Sequence, residues 1–144
     1  MTTFLVINGP NLNNLGRRDR SHYGSKTLEE IEADVRARAK ELGVEVEFFQ
    51  SNHEGAIVDF IQQRSAGASG IVINPAALTG VGYSITDALL DCGLSVVEVH
   101  LSNIHAREEF RRHSVIAPVA KGQVSGLGWH GYLYALEYLA GSED

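Results

Sequence analysis

The sequence predicts a parallel β-sheet covered by helices on both faces. Five short apolar stretches rich in Val and Ile alternate with segments of helical periodicity. The first of them is continuously apolar, as a strand is when both faces of its sheet are covered. No repeat, linker or low-complexity tract interrupts the order, so residues 1–144 read as one domain of ordinary size.

Phe4 to Ile7 is the first strand candidate, ended by the breaker Asn8-Gly9-Pro10. Thr27-Leu28-Glu29-Glu30 reads as a capping box. Apolar residues then recur at Leu28, Ile31, Val35, Ala39 and Leu42, and Gly43 is placed to end the helix. Val44 to Phe49 is the second strand. Ser51 with Glu54 suggests another capping box, and Ile57, Phe60 and Ile61 give the next helix its apolar stripe. Gly70 to Asn74 is the third strand, a helix is expected around Ser84 to Asp91, and Leu94 to Val99 is the fourth strand. A fifth is expected between Val115 and Val124. The last helix carries Trp129, Tyr132, Leu133, Leu136 and Leu139 on one face, ahead of the acidic Glu143-Asp144.

Charge and composition narrow the function classes. Twelve Lys and Arg against eighteen Asp and Glu give a net charge of -6, which disfavours a nucleic-acid partner while leaving room for a local basic site for a small anion. The single Cys92 offers no intrachain disulfide, and Met1 is not followed by a basic segment and apolar signal core, so a reducing cytoplasm is expected. The apolar runs fall far short of the roughly 20 residues of a membrane span.

In a sheet of this kind ligands sit at the carboxyl ends of the strands. Asn8, Gly9, Pro10 and Asn11 follow the first strand, Asn74 ends the third, and Glu98, His100, Ser102 and Asn103 cluster at the end of the fourth. Each has a structural explanation as turn former or hydrogen-bonded polar residue. Together they bring amides, a carboxylate, an imidazole and a hydroxyl to one crevice, which favours a site. Leu12 to Lys26 reads as a long structureless connection carrying Arg17, Arg18, Arg20 and Tyr23, suited to a lid over an anion. Tyr is ordinarily a weak acid of pKa about 10, but adjacent guanidinium charge favours its phenolate, so an Arg-assisted Tyr base is chemically sensible.

The mixed-sign run His105 to His113 fits an exposed helix with paired charges, from which one inward arginine would supply a carboxylate clamp. Gly126, Gly128 and Gly131 match no nucleotide-binding fingerprint and are better explained by helix packing. The six histidines show no helical two-His pattern and no Cys/His constellation, so neither metal nor organic cofactor is expected.

Four motifs then converge: Asn8-Gly9-Pro10-Asn11-Leu12-Asn13, Leu15-Gly16-Arg17-Arg18 with Tyr23-Gly24, Glu98-Val99-His100-Leu101-Ser102-Asn103, and His105-Ala106-Arg107-Glu108-Glu109-Phe110-Arg111. In order and spacing, and with Gly126-Leu127-Gly128 and Gly131-Tyr132 at the end, the chain resembles the type II 3-dehydroquinate dehydratases over essentially its whole length. The resemblance implies a flavodoxin-like fold with a five-stranded parallel sheet, a homo-dodecamer built as a tetramer of trimers, and an anti elimination of water from 3-dehydroquinate through an enolate. It implies Tyr23 as base, Arg18 as its electrostatic partner, Asn11 as holder of a water against the enolate oxygen, His100 as acid and Glu98 as the group that orients it. Asn74, Leu101, Ser102 and Arg111 would bind substrate, with Asp87 contributed near a trimer interface.

One position departs from the family pattern. Gly80, in Asn74-Pro75-Ala76-Ala77-Leu78-Thr79-Gly80-Val81-Gly82-Tyr83-Ser84, stands where a substrate-binding His is expected. A lost hydrogen bond there corresponds to roughly 1 to 3 kcal/mol. Two further readings are a diverged paralogue acting on a related cyclic hydroxy acid and a noncatalytic ligand-binding module, since fold alone does not fix activity.

Overall fold

Five strands form one parallel sheet in the order β2-β1-β3-β4-β5. They are β1 (Thr3–Asn8), β2 (Glu45–Gln50), β3 (Gly70–Asn74), β4 (Ser95–His100) and β5 (Gly122–Ser125). The structure is a computed structural model describing residues 1–142; Glu143-Asp144 lies outside the described residues. Among the described residues six α-helices connect or follow the strands: α1 (Arg20–Tyr23), α2 (Leu28–Leu42), α3 (Glu54–Arg64), α4 (Tyr83–Cys92), α5 (Glu109–Arg112) and α6 (His130–Gly141).

The pleat of β1 sorts its residues onto two cores. Phe4 and Val6 pack with Ile31, Val35, Leu136 and Leu139 of α2 and α6. Leu5 and Ile7 pack with Ile57 and Ile61 of α3 and Ile85 and Leu89 of α4 on the other face. Right-handed crossovers require this division: the chain moves outward from β1 through α2 to β2, then back past β1 to β3 and on to β4, so α2 lies opposite α3 and α4. Each fully buried Ile contributes roughly 1.5 to 3 kcal/mol relative to exposure. Every strand lies within a residue or so of its sequence expectation except β5, which is shorter and occupies only the end of the expected interval, because Ala117–Val119 turns as a 3-10 helix around Pro118.

The capping box at α2 forms as expected, with Thr27 accepting from Glu30 N–H and Glu30 accepting from Thr27 N–H. The one expected at Ser51 does not. Ser51 Oγ accepts from His53 N–H at 2.9 Å, closing a local turn, and α3 begins only at Glu54 with His53 as its uncapped N-terminal residue. The 12–26 connection is not structureless either: a 3-10 turn covers Leu12–Asn14, and α1 starts at Asp19, whose carboxylate accepts from both the Ser21 N–H and the Ser21 hydroxyl. The 105–113 run does not form one helix. A 3-10 turn covers Ile104–Ala106, Arg107 is extended, and the α-helix spans only Glu109–Arg112. Of the three late glycines, Gly131 packs α6 against Val99 and Val124, whereas Gly126 and Gly128 occupy left-handed turn positions at φ 90° and 61°.

Candidate active site

Between β1 and β3 the chain changes winding direction, and the loops leaving their carboxyl ends part to leave a crevice. Asn8 and Asn74 lie side by side there. Gly9 N–H donates to Asn74 O at 2.8 Å, and a Cβ on Gly9 would sit 2.5 Å from the Pro75 carbonyl oxygen, so this approach requires glycine. Asn11 follows in the left-handed region at φ 70°. Its N–H donates to Asn52 Oδ1 at 2.9 Å, and Gln50 Nε2 donates to that same oxygen and to Gly9 O.

Beneath the pocket a neutral polar chain fixes the floor. Asn74 Oδ1 accepts from Ala76 N–H, Asn74 Nδ2 donates to the Tyr132 hydroxyl, and that hydroxyl donates to Asn8 Oδ1 at 2.5 Å. Burial pushes the Tyr132 phenol well above its ordinary range, so it serves as a neutral hydrogen-bonding link.

At the end of β4, His100 is 5% exposed and Glu98 0%. His100 Nε2 lies 2.5 Å from Glu98 Oε2, and the Thr79 and Ser114 hydroxyls donate to the same carboxylate. Burial alone would raise the Glu98 pKa. The hydrogen bonds from His100 and Thr79, the charge of His100 and the hydrogen bond from Ser114 outweigh it, holding the carboxyl below its usual range.

Tyr23, the last residue of α1, lines the same pocket as His100. The Arg107 guanidinium donates to the Tyr23 hydroxyl at 2.7 Å and to Ser102 Oγ at 3.2 Å, while the Arg18 guanidinium stacks 3.9 Å from the Tyr23 ring centre. Arg107 Nε is buried without a hydrogen-bond partner among the described residues. Arg18, Arg107 and Arg111 all line the pocket, and among its described lining residues there is no Asp or Glu. A chain of net charge -6 therefore concentrates positive charge on one small cavity, which suits an anionic ligand. No group of three or more His, Cys, Asp or Glu is placed to hold a metal ion among the described residues, and no described helix is long and apolar enough to cross a membrane.

The pocket gathers Asn11, Arg18, Tyr23, Asn74, His100, Leu101, Ser102 and Arg111, all singled out from sequence. Glu98 stands behind His100 rather than on the surface of the pocket. Gly80 lies outside the lining, its Cβ direction facing the backbone oxygens of Phe110 and His113, and Asp87 is exposed on α4. Arg111 lines the pocket while its Nε donates to Glu108. Arg107 is the residue that sequence reasoning passed over, because the mixed charges around it read as a helix surface. Thr79, Ser114 and Asn52 were likewise missed; no local pattern marks a hydroxyl or amide whose partner is 16 to 41 residues away.

Comparison with known proteins gives a consistent result. The dehydroquinase class II family model matches residues 2–140. A 3-dehydroquinate dehydratase from Roseiflexus castenholzii is 56% identical over 138 residues, covering 96% of this chain and 88% of the relative. The type II dehydroquinase structure from Butyrivibrio crossotus superposes with a TM-score of 0.93 at 47% identity, covering 96% of this chain and 97% of that one. For the Propionibacterium acnes type II dehydroquinase the TM-score is 0.94 at 42% identity, with coverages of 99% and 98%. The fold is thus the flavodoxin-like α/β arrangement expected from sequence.

Proposed function

Because the chain belongs to the class II dehydroquinase family and catalyses the dehydration of 3-dehydroquinate, a hydro-lyase reaction, we propose that Tyr23 is its base and His100 its acid. The observation that carries this assignment is that both side chains line one arginine-rich pocket, each with a charged partner already in contact.

Tyr23 removes a proton beside the substrate ketone. Its oxygen accepts a hydrogen bond from Arg107, and the Arg18 guanidinium lies over its ring. The electron pair left behind delocalises onto the ketone oxygen as an enolate, and a water held by Asn11 stabilises that charge. His100 then gives its proton to the departing hydroxyl as the enolate collapses, producing 3-dehydroshikimate and water. Glu98 accepts from His100 Nε2, which leaves Nδ1 as the nitrogen able to serve the pocket. An anti elimination follows when this base and this acid work on opposite faces of the substrate.

Asn74, Ser102, the backbone at Leu101 and Arg111 hold the substrate's carboxylate and hydroxyls. This division of labour needs no metal or organic cofactor. Asp87 belongs to a neighbouring copy's site in a homo-dodecamer built from trimers; its support is the exposed stripe Tyr83, Asp87 and Leu90 on α4, two apolar side chains framing a carboxylate. Gly80 is the position at which the substrate contact differs from the family pattern, and one domain working in the cytoplasm accommodates all of these roles.

Mixing the protein with 3-dehydroquinate and following ultraviolet absorbance tests the reading. Growth of a conjugated-enone band that stops with Tyr23→Phe supports it, and a band that persists at wild-type rate in that variant removes Tyr23 from the chemistry.

A further inference from the structure

We propose that Thr79 and Ser114 are positioning residues for the acid, two hydroxyls that fix Glu98 as a pure acceptor so that the shared Nε2 proton stays on the His100 ring and Nδ1 is left to carry the proton delivered in the pocket. The proposal rests on the assignment of His100 as acid and adds the means by which its proton is kept available.

The hydrogen-bond inventory around Ser114 settles the direction of each bond. Ser114 Oγ accepts from the N–H groups of Ile116 at 3.1 Å and Ala117 at 2.9 Å, which occupies both of its lone pairs. Its single hydrogen must therefore point outward, to Glu98 Oε1 at 2.8 Å. Thr79 Oγ1 lies 2.8 Å from Ser114 Oγ but finds no free lone pair there, so its hydrogen goes to Glu98 Oε2 at 2.5 Å. Both carboxylate oxygens are then met by donors. A proton placed on Glu98 would oppose one of them in a fully buried site, so the ionised carboxylate is the form that satisfies the whole cluster. His100 Nε2 completes the set as third donor.

The backbone holds this arrangement in register. Thr79 sits in the 3-10 turn Ala76–Gly80, and its carbonyl accepts from Val115 N–H at 2.7 Å, joining that turn to the residue after Ser114. The two hydroxyls thus come from segments 35 residues apart that meet behind the end of β4. The direction of the Glu98 shift agrees, since both hydrogen bonds lower it against burial. The other ionisable groups near His100 are Arg18, Tyr23, Arg107 and Arg111 of the pocket lining, and none of them hydrogen-bonds to Glu98.

The test is steady-state turnover of 3-dehydroquinate across pH for Thr79→Val and Thr79→Ser, each made in wild-type and His100→Ala backgrounds, with thermal unfolding as a check on folding. Thr79→Val removes the donor while keeping the shape. Its kcat is expected to fall about tenfold, the value of one net hydrogen bond near 1.4 kcal/mol, with KM within about twofold. The low-pH limb of kcat should move to higher pH, because a carboxylate with one donor fewer takes up a proton more readily. Thr79→Ser should restore both, and in the His100→Ala background Thr79→Val should change kcat no further. Ser114→Ala, which also removes a turn cap, should give the same pH shift if it folds. An unchanged kcat and pH profile in folded Thr79→Val overturns the proposal, as does an equal loss in both backgrounds. Wild-type turnover in His100→Ala would instead refute the acid assignment itself, a separate and recognisable failure.

Discussion

The proposed acid and the proposed base are held in opposite ways. His100 ends a central strand, and its partner Glu98 is fully buried and bound by hydroxyls from two further segments. Tyr23 ends a four-residue helix with no buried residue, held by the Asp19 cap and by two arginines. The proposed acid is therefore placed by a central strand, whereas the proposed base sits on a short surface helix with its ring packed on the edge of the core. Damage around His100 should cost stability as well as rate. Damage around Tyr23 should cost rate alone, as suits a segment that must open for substrate.

The most severe way to probe the buried side is His100→Ala. Loss of a general acid corresponds to roughly 10²- to 10⁴-fold in kcat, and leaving the buried Glu98 short of a donor should lower unfolding stability by about 1 to 3 kcal/mol. Because the folded Glu98 pKa is depressed, its contribution to stability is present above the ordinary carboxylate range and is lost as pH falls through the lower folded value. Denaturant midpoints between neutral and acidic pH should show this loss in the wild type and a different one in the variant.

On the Tyr23 side, Arg107→Met removes the hydrogen bond to the Tyr23 hydroxyl. A charge-assisted bond of about 1.5 to 3 kcal/mol corresponds to roughly ten- to a hundredfold in kcat/KM, expected with little change in Tm. Asp19→Ala should act more mildly. Its carboxyl is held at about 2, foremost by the Ser21 hydroxyl and then by the Ser21 N–H and His22, so its hold on α1 is complete above pH 3.8 and lost as pH falls toward about 2. At neutral pH the substitution should lower kcat/KM by about two- to tenfold with Tm unchanged, reflecting a weakened helix cap. Equal loss of stability in these variants and in His100→Ala would erase the contrast.

How legible each region was follows from the same difference. The strands, α2 and the residues at the strand ends could be read because local periodicity and breakers define them, and Asn74 and His100 occupy strand ends as expected. The Ser51 capping box failed because a Ser can satisfy its own local turn three residues before the helix begins at Glu54. Arg107 was obscured because its side chain crosses 84 residues of sequence to reach Tyr23, and charge spacing around it mimicked a surface helix. Thr79 and Ser114 were hidden for the same reason: their chemistry exists only once two loops meet behind Glu98.

The smallest expected effect concerns the pocket wall. Ala76 adopts φ 53°, a left-handed conformation unfavourable for a residue with a Cβ. Ala76→Gly should stabilise by up to about 1 kcal/mol, part of the relief being offset by greater unfolded-state entropy. A denaturant midpoint that drops instead would mean that the methyl group contributes more through packing than its backbone costs.

The central claim is most directly tested by single-turnover formation of the conjugated enone with Tyr23→Phe, alongside its binding of a nonreactive substrate analogue and its Tm. The expected result is a rate lower by several orders of magnitude with analogue affinity and Tm near wild type, since only the phenolic oxygen is lost. A rate close to wild type would contradict the assignment of Tyr23 as the base.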